Sequence, residues 1–297
     1  MTIKKILAAT DFSPRSRHAV ERAAHLAHQF GAELRIVHVV PDLLRFDRHP
    51  DRPQSIQAGI VRGAERSLEV IGHDVQKKYS VSPSWTVIYG RASLAILEAQ
   101  SAFSADLLVI GAQGETEPGP MRTLGGTTLK VLPACTVPLL VVRLPVADHY
   151  RRLMIALDGS PESGNVLAAA RPFVGGAHCF VVHAFDVPFV RRLETLKLSS
   201  ETIDAYASEQ QAAQRETVGR QLAAAGLDQS CEVRAVRGDP RTVLMAEIDR
   251  LGPDLVILGK HASRTGACER IGSTMLRLAY GAGCDLLHVP EAPYKER

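Results

Sequence analysis

Apolar residues recur along this chain in two alternating rhythms. Short, mostly apolar runs at Lys5–Ala9 (KILAA), Leu34–Val40, Trp85–Ile88 and Val137–Val142 have the length and composition of strands. Between them the spacing changes to that of helices. Ala19, Val20, Ala23, Ala24, Ala27 and Phe30 fall on one helical face. Ser13-Pro14 supplies an N-cap followed by proline at the first helical position, and Gly31 closes the helix. Ser55–Tyr79 reads as a long helix with Ile60, Ala64, Leu68, Ile71 and Val75 on its inner face. Ala92–Phe103 reads as a helix that turns Leu94 and Leu97 inward. Pro41–Pro53 has three prolines and no period, which makes it a loop.

The second half replays this score. A strand at Leu153–Leu157 ends at Asp158, Ser160-Pro161 is placed to cap a helix running to about Phe173, and Cys179–Ala184 is the second strand. A loop from Asp186, a long helix over about Ser199–Ala225, strand Cys231–Val236, helix Pro240–Arg250 with Asp239 as N-cap, and strands at 255–258 and Leu286–Val289 complete it. Strands alternating with helices predict an α/β protein with parallel sheets covered on both faces. The expected architecture is two tandem doubly wound domains, residues 1–145 and 150–297, each a five-stranded Rossmann-like sheet in the order 3-2-1-4-5. Leu144–Arg151 forms a short joint. Each half is of a size that buries roughly two-thirds of its unfolded surface, enough for its own core.

The clearest repeat is Asp106–Thr128 (DLLVIGAQGETEPGPMRTLGGTT), which returns as Asp254–Thr274 (DLVILGKHASRTGACERIGST). In each copy an Asp opens a four-residue apolar strand that stops at a glycine, Gly111 or Gly259. A polar loop follows, then a helix whose first turn is built from small residues: Gly125-Gly126-Thr127 or Gly272-Ser273-Thr274. Small residues there leave the first backbone N–H groups accessible. Those donors and the positive end of the helix dipole suit an anion such as phosphate. The plainer reading is that these glycines only punctuate strand–loop and loop–helix joints. Asp11 and Asp158 end the first strand of each half. If first and fourth strands are neighbours, each carboxylate shares a crevice with a glycine loop, beyond the carboxyl ends of the strands. The acid would accept from a ligand amine or hydroxyl while the loop holds phosphate; the alternative role for each Asp is an Asx-turn ahead of the helix cap.

Composition narrows the partners. Formal net charge is +3, with 35 basic and 32 acidic residues, which gives no bulk electrostatic case for nucleic acid or an anionic membrane. No run of 18 apolar residues and no signal-peptide pattern is expected to carry the chain into or across a membrane, so a cytoplasmic protein is expected. Five cysteines without a CxxC pair suit reduced, mostly buried thiols. Leu258-Gly259-Lys260-His261 is not a P-loop, and no GxSxG occurs. His25 and His28 read as surface residues, and no metal site is expected. His38 and His183, in equivalent second strands, read as satisfied structural histidines. The loops with Arg45, Phe46 and Arg48 and with Phe189, Arg191 and Arg192 read as solvated covers; the sharper reading makes them lids that supply arginine to phosphates.

ILAATDFSP, IVHVV, DLLVIGAQG and LGGTTLKVLPACTVPLLVV, and again IALDGSP, FVVHAFD, DLVILGKHA and IGSTMLRLAYGAGCDLLHV, resemble the universal stress protein family in both halves. The resemblance implies an adenine-nucleotide site that takes ATP, with or without Mg. Ala9, Thr10, Asp11 and Val39 would surround the base, Gly111, Gln113 and Gly114 would meet ribose and phosphates, and Gly125, Gly126 and Thr127 would meet the phosphates. The matching second-half positions are Ala156, Asp158 and Ala184, then Gly259 and His261, then Gly272, Ser273 and Thr274. Both copies depart from the family signature of Gly-x-x-Gly, nine residues, then Gly-Ser or Gly-Thr. The first has ten residues between Gly114 and Gly125 and a glycine at 126; the second has Ala262 for the second glycine.

The function expected is nucleotide binding in one or both domains, in stress response or signalling rather than metabolism, with at most slow ATP hydrolysis and an unidentified protein partner. The rival reading is a nucleotide-free dimeric scaffold. Its apolar last strands would be open edges unless they pair within an intramolecular pseudo-dimer or with a second chain. An adenylating enzyme would want an SGGxDS or HxGH sequence, and neither is present.

Overall fold

The computed structural model describes residues 2–41, 54–114, 124–187, 199–259 and 272–291. The first half runs β1 (Lys5–Thr10), α1 (Pro14–Phe30), β2 (Glu33–Val40), α2 (Gln54–Tyr79), β3 (Ser84–Tyr89), α3 (Ala92–Phe103), β4 (Leu107–Gly111), α4 (Gly126–Val131) and β5 (Leu139–Val142). The second runs β6 (Arg152–Leu157), α5 (Ser163–Val174), β7 (His178–Phe185), α6 (Ser200–Ala225), β8 (Cys231–Arg237), α7 (Pro240–Leu251), β9 (Leu255–Gly259), α8 (Ser273–Gly281) and β10 (Asp285–Val289).

Among the described residues the strands form a single ten-stranded sheet in the order β3-β2-β1-β4-β5-β10-β9-β6-β7-β8. Each half contributes five parallel strands in the expected 3-2-1-4-5 order. The halves meet where β5 and β10 pair antiparallel, Leu140 opposite Leu287. Pairing these two edges satisfies backbone groups that would otherwise be exposed at the edge of each half. Along β1 the side chains alternate: Ile6 and Ala8 join one apolar cluster, Leu7 and Ala9 the other. Helices α1, α2, α5 and α6 pack on the first face, and α3, α4, α7 and α8 on the second. Both faces are covered, as near-continuous apolar strands require.

Several local readings hold at atomic level. Ser13 caps α1, its hydroxyl accepting from the Ser16 N–H. Gly31 closes the helix at φ 62°, and Asp239 caps α7 by accepting from the Arg241 and Thr242 N–H groups. Others fail. Ser160-Pro161 does not cap α5, because Asp158 Oδ1 takes the Ser160 N–H (3.0 Å) and the Ser160 and Ser163 hydroxyls (2.7 and 2.9 Å); the helix starts only at Ser163. On α3 it is Ala95, Ile96 and Phe103 that are buried, while Leu94 is 54% exposed. Ile60 on α2 is 37% exposed. Helical period marks a face but not which of its margins the sheet covers.

A polar knot fastens the junction. Asp285, at the start of β10, has a fully buried side chain. It accepts from the Arg143 and Leu144 N–H groups (2.7 and 3.0 Å) and from the Tyr150 hydroxyl (2.7 Å), with the guanidinium of buried Arg22 of α1 at 3.7 Å. Arg22 also lies over the Tyr150 ring, 4.1 Å away, and donates to the Asp148 carbonyl. Phe30 of α1 meets Phe173 of α5 edge-on, so the first helix of each half touches the other across the same face.

His25 of α1 stands beside this knot. Burial and the Arg22 charge hold its imidazole below the ordinary value of 6.5, with Asp148 opposing. The unfolded chain therefore binds a proton before the folded one does. Stability falls as pH drops through 6.5 toward the folded value, and it is recovered above 6.5. Thermal unfolding at pH 7.5 and pH 5.5 checks this: the loss on acidification should shrink in His25→Asn.

Candidate functional site

Because β1 pairs with β4, and β6 with β9, the ends of these strands lie side by side in each half. The first-half crevice is about 140 Å³. Its walls are Ala9, Thr10 and Asp11 from β1 and the turn after it, Val39 from β2, Gly111, Gln113 and Gly114 after β4, and Gly125, Gly126 and Thr127 at the start of α4. All ten first-half candidates thus line one cavity.

Acid and loop approach closely. A Cβ on Gly114 would stand 2.6 Å from Asp11 Oδ2, so a larger residue there obliges the carboxylate or the loop to shift. The other oxygen of Asp11, Oδ1, accepts from the Ser13 N–H at 3.1 Å, so the Asx-turn expected as an alternative coexists with the carboxylate's place in the crevice wall. Thr128 fixes the far wall. Its buried hydroxyl donates to the Gly111 carbonyl (2.9 Å), and the Gly125 N–H donates to the Ala112 carbonyl (2.7 Å), tying the start of α4 to the end of β4. Ser16 and Thr10 share a hydroxyl contact of 3.0 Å beneath Asp11, and Arg15 donates to Gln113. Ser16, Thr128 and Arg15 escaped the sequence reading; a Thr one residue beyond Gly-Gly-Thr was the available sign for Thr128.

The second-half crevice is roomier, about 380 Å³. Ala156, Asp158, Ala184, Gly259, Gly272 and Thr274 line it, joined by Ser160, read from the sequence only as a helix cap, and by Glu162, Asn165, Met275 and Glu291, which the sequence reading did not name. Ser273 is exposed on the first turn of α8 and does not line the cavity. Gly259 lies under α5, where a Cβ would meet Val166 Cγ2 at 2.9 Å. His261 and Ala262, like the arginine-bearing loops at 45–48 and 189–192, lie outside the described residues.

The two strand histidines take structural roles next to these crevices. His38 Nδ1 contacts the Thr10 carbonyl at 2.9 Å and the ring stacks on Phe12; His183 Nδ1 contacts the Leu157 carbonyl at 3.0 Å. Each therefore holds the carbonyl that precedes the crevice aspartate. Gln221 of α6 donates to the Gly159 and Ser160 carbonyls, bracing the turn behind Asp158. No helix among the described residues is long and apolar enough to cross a membrane.

Comparison with known proteins gives a consistent answer. The sequence model of the Universal stress protein family matches residues 2–143 and again 149–290. Universal stress protein A homolog 1 of Coxiella burnetii is 28% identical over 145 residues, 48% of this chain and 97% of that protein. In fold, the chain is similar to a universal stress protein from Archaeoglobus fulgidus: TM-score 0.71, 15% identity, 98% of this chain and 99% of the other. It is also similar to a functionally unknown protein from Pseudomonas aeruginosa, with TM-score 0.64, 18% identity, and 98% and 93% coverage.

Proposed function

As the chain belongs to the universal stress protein family in each of its halves, we propose that it binds an adenine nucleotide, ATP in the first instance, in its strand-end crevices and works as a signalling or stress-response protein in the cytoplasm. The observation that carries this reading is the meeting, in each half, of a carboxylate-bearing strand end with a glycine turn and a small-residue helix start in one cavity. Such a cavity offers an acceptor for a base or ribose at one side and backbone N–H donors for phosphates at the other. Gly111, Gln113, Gly114, Gly125, Gly126 and Thr127 would hold ribose and phosphates in the first half, and Gly259, Gly272 and Thr274 in the second. A magnesium ion would enter with the phosphates.

The two crevices differ in size. Only the second falls in the range of roughly 300–1,000 Å³ usual for small-molecule sites, so it is expected to load first. Bound ATP then acts as a ligand that favours the conformation it binds better. Any hydrolysis is expected to be slow. The β5–β10 pairing makes one chain an intramolecular pseudo-dimer, with a protein partner to be met on the remaining surface.

Ligand-dependent melting tests the reading. ATP at 100 times its dissociation constant should add about 2.7 kcal/mol of stability and raise the melting temperature accordingly. The same concentration of inorganic phosphate should leave it nearly unchanged. An ATP concentration series that never moves the transition would refute the proposal.

A further inference from the structure

Cys179 and Cys231 are neighbours that no sequence spacing announces. Cys179 is near the start of β7 and Cys231 opens β8, the edge strand of the second half. The two residues face each other in the parallel register. Their sulfurs lie 2.8 Å apart, within reach of an S–H···S contact, and both belong to the same sheet face. Strands in a sheet sit about 4.8 Å apart, which falls within the Cα separations that disulfides bridge. Closing the remaining gap to a bond of about 2.05 Å requires side-chain rotation and no rearrangement of the strands.

The pair is also asymmetric in a useful way. Cys231 is partly exposed at the sheet edge, whereas Cys179 is buried. The contact with Cys179 holds the Cys231 thiol below its ordinary value, while the same contact and burial push Cys179 up. Cys231 is the less buried of the two, so it is the thiol that an oxidant arriving from solvent meets first. The other described cysteines are poorly placed for such chemistry: burial pushes Cys135 up to about 11 and Cys284 up to about 12.

We propose that Cys179 and Cys231 form a reversible two-electron oxidation site, with Cys231 as the sulfur that meets a hydroperoxide and Cys179 as the one that resolves it. The Cys231 thiolate attacks a peroxide oxygen, the O–O bond breaks, and hydrogen peroxide yields Cys231 sulfenic acid and hydroxide. Cys179 sulfur then attacks Cys231 sulfur, the S–O bond breaks, and the proton of the Cys179 thiol leaves with the oxygen as water. The sum is two thiols and one hydrogen peroxide giving one disulfide and two waters: the two sulfurs lose two electrons and the peroxide gains them. A thiol reductant reverses the step. The product ties this edge strand to its neighbour at the opposite end of β7 from Ala184, about 16 Å along the strand from the nucleotide crevice, so the site stands independently of nucleotide binding.

The test uses the reduced full-length chain treated with hydrogen peroxide. Of five thiols titratable in denaturant, three should remain, and a non-reducing peptide map should join the peptides of Cys179 and Cys231. In Cys179→Ala, peroxide with dimedone present should label Cys231. Five thiols surviving, a crosslink that uses any other cysteine including Cys268, or a dimedone adduct elsewhere would each overturn the assignment. The map on the unsubstituted chain decides the matter even if Cys179→Ala does not fold.

Discussion

Asp285→Ala is expected to cost about 3–5 kcal/mol of folding stability, the largest loss from any single side chain at the junction. The carboxylate is fully buried and collects two backbone N–H groups, the Tyr150 hydroxyl and the nearby Arg22 guanidinium, itself only 4% exposed. Burial pushes the Asp285 carboxyl above its ordinary value, and those four partners offset only part of that. Alanine would leave Arg22 as a buried charge without its counter-ion and would strand two main-chain donors. For a chain of this length the melting temperature should fall on the order of 10 °C. Tyr150→Phe removes one hydrogen bond and should cost only about 1 kcal/mol. Replacing both charges together, Arg22→Met with Asp285→Leu, should recover much of the loss, since the penalty lies in the unpaired partner more than in the pair. Denaturant melts of the four proteins check the ordering. Equal losses for Asp285→Ala and Tyr150→Phe would contradict it.

Filling either crevice should abolish nucleotide binding in that half alone. Gly114→Val places its Cβ 2.6 Å from Asp11 Oδ2, so either the loop or the carboxylate must leave the first crevice wall. Ala184→Phe projects a ring into the roomier second cavity that Ala184 lines. With the second crevice the larger, Ala184→Phe should weaken ATP affinity by at least 30-fold, while Gly114→Val should remove only a weaker binding step. Gly114 lies in the loop after β4, and Ala184, near the end of β7, borders the second apolar cluster on the cavity side, so far-ultraviolet circular dichroism should be retained in both variants. An equal and partial loss from each variant would mean that the crevices are equivalent in spite of their sizes.

Much of this layout was legible in the residues. The repeated passages of strand, glycine loop and small-residue helix start marked the crevice residues on condition that first and fourth strands are neighbours, as the expected 3-2-1-4-5 order has them; β1 does pair with β4, and the closeness of Asp11 to the Gly114 loop follows from that adjacency. Local chemistry was legible where one interaction dominates, as with Ser13 and Asp239 at helix starts. It misled where two compete. Ser160-Pro161 carries the same cap signature as Ser13-Pro14, but Asp158 captures Ser160 and Ser163 first. Leu94 and Leu97 both read as inward-facing; Leu97 is partly buried against the cluster that holds Ile96 and Phe103, whereas Leu94 lies beyond the margin that the sheet covers.

What the chain could not disclose are encounters between residues far apart in sequence. Tyr150 and Asp285 are separated by 135 positions, and Cys179 and Cys231 by 52. Neither pair has a spacing that marks it, because strand register and the β5–β10 junction create both. The exposed-edge argument offered the last strands two partners, each other or a second chain; they pair with each other, and only the antiparallel sense was not legible.

The most direct test of the nucleotide reading is calorimetric titration of ATP into the unsubstituted chain and into the Gly114→Val, Ala184→Phe double variant. Saturable heat with the first and none with the second, both folded, is the predicted outcome. Equal heats from the two would place ATP outside the crevices, and no heat from either would leave a nucleotide-free scaffold in their place.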